Sequence, residues 1–204
     1  MYSGLIESVK TGVWKPQGVP AIYNIIEEFS KKGMPLDVLL LCKTENEGEN
    51  IKGIREIEIK DLKVNFYIFA FYDLRINSCK LKQVFNDINQ YKNVIFKFLV
   101  KKRYDLAYFD RSNIVLAAIF SFLSVKTVVR FLGIADFQRF TDKITSIIWS
   151  PLVYLSLKAP FSLVISTEDG SPKSFFDNCL GKKTPCKILL NGVENNKGLL
   201  KDLR

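Results

Sequence analysis

The sequence predicts an α/β domain: a mostly parallel sheet covered by helices on both faces. Three observations carry that expectation. Strand-like and helix-like segments alternate six or seven times along the chain. The segment at 37–42, Asp-Val-Leu-Leu-Leu-Cys, is a continuous apolar run, as burial on both faces of a parallel sheet requires. At 204 residues, 48% hydrophobic and 25% charged, the chain has the size and composition of one ordinary globular domain.

Taken in order, residues 2–7 are expected to form the first strand. A loop follows, broken by Gly12, Pro16, Gly18 and Pro20. Residues 21–32 carry Ile22, Ile25, Ile26 and Phe29 at helical spacing, and Gly33 is a natural stop. Strands are expected at 37–42, within 51–61 and at 64–71. Residues 76–103 predict one long helix with an interruption near Asn93. A strand at 104–109 leads into a helix over 110–124, with Asp110 or Ser112 as its cap. The β-branched run at 126–132 is a strand stopped by Gly133. Residues 136–157 are expected to be helical with a kink at Pro151. The last strands are 161–166 and 186–190, and Ser171-Pro172 opens a helix between them.

Charge and rare residues narrow the chemistry. Thirty Lys and Arg against 21 Asp and Glu leave a net charge of +9, which favours an anionic partner: nucleotide phosphate, nucleic acid or an acidic membrane. The clusters Lys31-Lys32, Lys101-Lys102-Arg103 and Lys182-Lys183 sit at expected helix ends, where cations also serve the helix dipole alone. The chain has no histidine, so it holds no Ser-His-Asp triad. Cys42, Cys79, Cys179 and Cys186 have neither zinc-finger nor redox spacing, and reduced thiols in the cytoplasm are the expectation. No signal peptide is visible. The apolar stretches 114–123 and 144–157 are too short or too interrupted to span a bilayer, although either could lie against one.

In parallel sheets ligands bind beyond the carboxyl ends of the strands, so those corners are the candidate site. After the first segment comes Gln17-Gly18, where a glycine before a helix lets backbone amides approach a phosphate. After the strand at 104–109 come Asp110, either a cap or a ligand, and Arg111, a cation at a helix start. Arg130 falls inside an apolar strand that ends at Gly133. Its partner is either an internal carboxylate, such as Asp110 or Asp136, or a ligand phosphate. Thr167-Glu168-Asp169-Gly170-Ser171 is a polar turn suited to capping or to holding sugar hydroxyls. Asn191-Gly192-Val193-Glu194 ends the last strand.

The order of these motifs resembles the N-terminal domain of family-4 glycosyltransferases, enzymes with two facing Rossmann-like domains (the GT-B fold). The resemblance rests on Gly18 through Glu-Phe29-Ser-Lys-Lys-Gly33, on Tyr104-Asp105-Leu-Ala-Tyr-Phe-Asp-Arg111-Ser112, on Val128-Val-Arg130-Phe-Leu-Gly133, on Asp169-Gly170-Ser171 and on Asn191-Gly192-Val193-Glu194. Many family members carry histidines where this chain has Tyr108 to Asp110 and Leu132, and a second glycine in the first loop. The branch that prefers arginine fits better.

The resemblance implies a Rossmann-like three-layer domain, one half of a GT-B fold. Residues 1–194 would be the acceptor-side domain, and 195–204 the start of a crossover to a donor-binding domain that is not part of this chain. It implies transfer of a sugar, of hexosyl type, from a nucleotide-sugar to a glycan or lipid-linked acceptor with retention at the anomeric carbon. The nucleotide-sugar is a co-substrate, and neither cofactor nor metal is required. The cleft would be lined by Gln17, Gly18, Asp110, Arg111, Arg130, Gly133, Asp169, Gly170, Ser171 and Asn191, and this chain alone would be inactive. Such an enzyme acts in polysaccharide or cell-surface glycan synthesis, in the cytoplasm or peripherally on the inner face of the membrane. The alternative is a non-catalytic Rossmann-like module that docks on a protein or an acidic membrane. Nucleic acid is not an expected partner, because no stacked-aromatic or recognition-helix pattern is present.

Overall fold

A computed structural model describes residues 5, 7–8, 11–15, 20–44, 54–59, 62–72, 91–92, 94–100, 104–132, 151–166 and 173–189. Strands and helices alternate, and among the described residues four of the five strand pairings are parallel, so the fold is α/β and Rossmann-like. The chain divides into two compact units, Met1–Lys101 and Lys102–Arg204.

The first unit contains helix α1 (Pro20–Lys31) and strands β1 (Asp37–Thr44), β2 (Ile54–Ile57) and β3 (Asn65–Tyr72). The sheet order is β1-β3-β2; β1 runs parallel to β3, and β2 antiparallel. Tyr23 and Ile26, three residues apart, turn one face of α1 into a core with Phe66 of β3, Val64 and Ile59. Strand alternation sends Tyr67 and Phe69 to the opposite face. There Tyr67 meets Phe98, of a short π-helical segment (Phe96–Val100), edge-on at 5.2 Å, and Lys97 Nζ lies 4.6 Å above the Tyr67 ring. Helical structure therefore covers both faces of this sheet.

Helix α1 ends as its glycine predicts. Gly33 adopts φ +63°, the Gly33 N–H donates to Ser30 O, and the Met34 N–H donates to Phe29 O. These are the paired bonds of a Schellman stop, which satisfy carbonyls the helix itself leaves open. Lys31 and Lys32 lie within 4 Å of Glu27 and Glu28 on the same helix, as exposed pairs worth little in stability.

The start of the chain corrects one expectation. Leu5, Glu7, Ser8 and Thr11 are helical, not part of a strand over 2–7. Leu5 and Ser8 are buried one turn apart, and Thr11 Oγ1 donates back to Glu7 O at 2.8 Å. A buried stripe at a spacing of three and a back-bond at a spacing of four are both helical.

The second unit contains β4 (Leu106–Asp110), a 3₁₀ turn (Arg111–Asn113), α2 (Ile114–Phe122), β5 (Lys126–Phe131), α3 (Pro151–Leu157), β6 (Leu163–Ser166), α4 (Lys173–Cys179) and β7 (Cys186–Ile188). The strand order β4-β5-β6-β7 is sequential and wholly parallel. Right-handed crossovers between sequential parallel strands place successive helices on one face. The core has that form: Val129, Phe131 and Val164 pack with Ile114, Ala117 and Ala118 of α2, Leu157 of α3, and Phe175 and Phe176 of α4. Helix α3 is described from Pro151 onward, so the kink expected at Pro151 turns on residues outside the described ones. The whole of the region expected to be helical before it, 136–150, lies outside the described residues, as does most of 76–103.

Candidate functional site

The parallel sheet of the second unit brings the carboxyl ends of β4 and β5 side by side. Asp110, the last residue of β4, is the register partner of Arg130 in β5. Register partners in parallel strands point to the same face, and residues two apart on one strand share it. Tyr108, Asp110 and Arg130 therefore occupy one face, while Phe109, Val129 and Phe131 occupy the face packed on the helices.

Arg130 is the unusual member. It is 3% exposed, in a strand whose neighbours Val128, Val129 and Phe131 are also buried. A guanidinium cannot shed its charge, so burial requires partners. One partner is Tyr108: its phenol is hydrogen-bonded to Arg130. Burial pushes the Tyr108 hydroxyl above its ordinary pKa; the positive charge and hydrogen bond of Arg130 oppose that, and the nearby Asp110 carboxylate adds to it. Tyr108 is thus a protonated phenol at neutral pH, held between a cation and an anion. The residue as a whole remains 38% exposed, so it reaches the surface. The partner found, a phenol within the sheet, is neither of the two kinds left open by the sequence, an internal carboxylate or a ligand phosphate. A guanidinium has five N–H donors, more than a phenol accepts.

Asp110 stands at the N-cap position of the 3₁₀ turn, in extended conformation, but its side chain makes no capping hydrogen bond, and Asn113, the N-cap residue of α2, makes none either. Ser112 lies within the turn and is exposed. The expectation is therefore corrected in two respects: Asp110 holds a cap position without the side-chain bond, and the cap position of α2 falls to Asn113, not to Ser112. The Asp110 carboxylate acts on Tyr108 instead. Arg111 opens the turn and is half-buried beside Asp110.

At the same edge of the sheet, Ser166 ends β6. Its hydroxyl is fully buried and makes no hydrogen bond among the described residues. Ser166 is the register partner of Phe131, so it lies on the face opposite Arg130.

Of the residues nominated from the sequence, Asp110, Arg111 and Arg130 are described, and all three lie at this corner. Gln17, Gly18, Gly133, Asp169, Gly170, Ser171 and Asn191 lie outside the described residues, as does Asp136. The loop leading to Gln17 is anchored at Trp14. Its Nε1 donates to Glu27 Oε1 at 2.8 Å, and its ring meets Tyr23 edge-on at 5.4 Å. Tyr108 was not nominated as a site residue. Strand alternation is the signal for it, since Tyr108 stands two residues before Asp110 on the same face.

Cys42, Cys179 and Cys186 are free thiols, and no cluster of three or more His, Cys, Asp or Glu able to hold a metal occurs among the described residues. No described helix is long and apolar enough to cross a membrane. Chemically, the corner offers a carboxylate to accept from hydroxyls, a fixed cation to meet anionic oxygen, and a phenol able to donate or accept. No protein-family model matches the chain, and no curated protein matches it.

Proposed function

We propose that this chain is the acceptor-side domain of a retaining glycosyltransferase that moves a sugar from a nucleotide-sugar to a glycan or lipid-linked acceptor. The observation that carries the reading is the buried Arg130, clasped by Tyr108 and set opposite Asp110 at the carboxyl edge of a parallel sheet. That edge is where α/β sheets bind ligands. A carboxylate beside a fixed guanidinium suits a substrate with both hydroxyls and phosphate, as sugar phosphates and lipid-linked sugars have. The motif order supports the same class, with Arg111 as a further contact. The remaining cleft residues of this reading are Gln17, Gly18, Gly133, Asp169, Gly170, Ser171 and Asn191. The donor would be held largely by a second domain, in keeping with the family resemblance.

Calorimetry on the 204-residue chain tests the site. The probes are a short-chain lipid diphosphate-sugar, a free oligosaccharide and inorganic pyrophosphate. One of the sugar-bearing probes should bind, and Arg130→Lys should weaken that binding about tenfold or more, because lysine keeps the charge but loses the planar fork. Tyr108→Phe should weaken it less, since only one hydroxyl is lost. Binding that is unchanged in a folded Arg130→Lys protein would remove this corner from the site.

A further inference from the structure

The opposite edge of the second unit carries a surface of different character. Its segments are tied into one end of the unit. Ser121 Oγ donates to Pro160 O at 2.7 Å, Ser162 N–H to Thr127 O at 2.9 Å, Lys158 Nζ to Asn178 O at 3.0 Å, and Thr184 Oγ1 to Ala159 O at 3.4 Å. The last turns of α2 and α3 and the starts of β5, β6 and β7 therefore meet there. At this end Phe122 is 65% exposed, Leu123 55% and Leu155 61%. Three large apolar side chains so open at one end of the unit mark an interaction surface rather than a core. Four exposed lysines, Lys126, Lys158, Lys182 and Lys183, belong to the segments of the same end, against two exposed acids, Asp105 and Asp177. The Lys158 head group also meets the carbonyls that end α4.

We propose that this amino-terminal edge of the sheet docks on an anionic phospholipid surface, with Phe122, Leu123 and Leu155 entering the interface and Lys126, Lys182 and Lys183 meeting the head groups. The pairing of bulky apolar side chains with exposed lysines at one end is the chemistry of interfacial binding: the apolar groups insert, and the cations seek anionic lipid. Charge argues against a second copy of the chain as the occupant. Each copy carries +9, and a symmetric contact would place lysine against lysine. The surface lies at the far end of the strands from Tyr108, Asp110 and Arg130, so the proposal stands or falls apart from the sugar-transfer reading.

Sedimentation of the full chain with phosphatidylglycerol-containing and pure phosphatidylcholine vesicles tests it, at low and high salt. The chain should bind the anionic vesicles, release from them as salt rises, and ignore the neutral ones. Lys182→Gln with Lys183→Gln should weaken binding about twenty-five-fold, at about fivefold for each lysine near a charged bilayer. Phe122→Ser with Leu123→Ser should also release the chain, and since both residues are exposed the protein should melt as before. No binding to anionic vesicles, equal binding to neutral ones, or binding untouched by both pairs of substitutions would overturn the proposal. So would self-association that disappears with Phe122→Ser and Leu123→Ser.

Discussion

Arg130 is the residue on which the candidate site depends, and the phenol bonded to it gives a measurable signal. Tyr108 has its pKa raised chiefly by burial, so the folded protein holds its proton longer than the unfolded chain does. The sign follows: the contribution to stability is fully present below the unfolded value, about 10, and is lost as pH rises through the higher folded value. Absorbance titration of the folded protein and of Tyr108→Phe should differ by one phenol that ionises late. A difference spectrum with its midpoint at or below 10 would show that Tyr108 is not held as described. Asp110 and Arg130 were legible because each is a charged residue at the end of an apolar strand. Tyr108 was not, because a tyrosine in a strand is ordinary; only the pairing of β4 with β5 sets it beside an arginine. The capping alternative for Asp110 had to await the structure, since sequence alone does not show which way a carboxylate turns.

Among the elements, the two helix stops make a matched pair. Gly33 ends α1 at φ +63°, and Ser124 follows α2 at φ +63° with the same two bonds, Ser124 N–H to Ser121 O and Val125 N–H to Phe120 O. Glycine reaches this left-handed region without strain, whereas an L side chain pays about 1 kcal/mol or more. Nothing lies within 4 Å of where a Cβ on Gly33 would stand, so the cost there is of the backbone alone. Urea unfolding should show Gly33→Ala less stable by about 1 kcal/mol and Ser124→Gly more stable by a similar amount. Equal midpoints for both variants and the parent protein would contradict this reading of the turns. Most elements were legible from local pattern: the strands expected at 37–42, 64–71, 104–109 and 126–132 are observed as β1, β3, β4 and β5. The opening segment was misread because a stretch of six residues is too short to tell a strand from a helix; its period shows only when Ser8 and Thr11 are included. The antiparallel course of β2 was not legible either, since pairing direction depends on partners distant in sequence.

For the whole molecule, the α/β class was legible because alternation and apolar strands are global features. The division into Met1–Lys101 and Lys102–Arg204 was not, because no proline- or glycine-rich linker marks it. The second unit is polar in a functional sense: its strands all run one way, with Asp110 and Arg130 at one edge and Phe122, Leu123 and the lysines at the other. Strands of three to six residues separate the two edges by about 20 Å at most. If both proposals hold, a docked molecule would present its sugar-binding edge away from the bilayer, and an extended glycan would reach it more easily than a sugar close to the lipid.

The most direct measurement is a transfer assay on the gene product that contains this chain, supplied with nucleotide-sugars and glycan or lipid-linked acceptors, with the product's anomeric configuration read by NMR. The expected product is a glycoside with the donor's configuration retained, formed without added metal and more slowly in Arg130→Lys. Inversion at the anomeric carbon, or no transfer from any nucleotide-sugar, would contradict it.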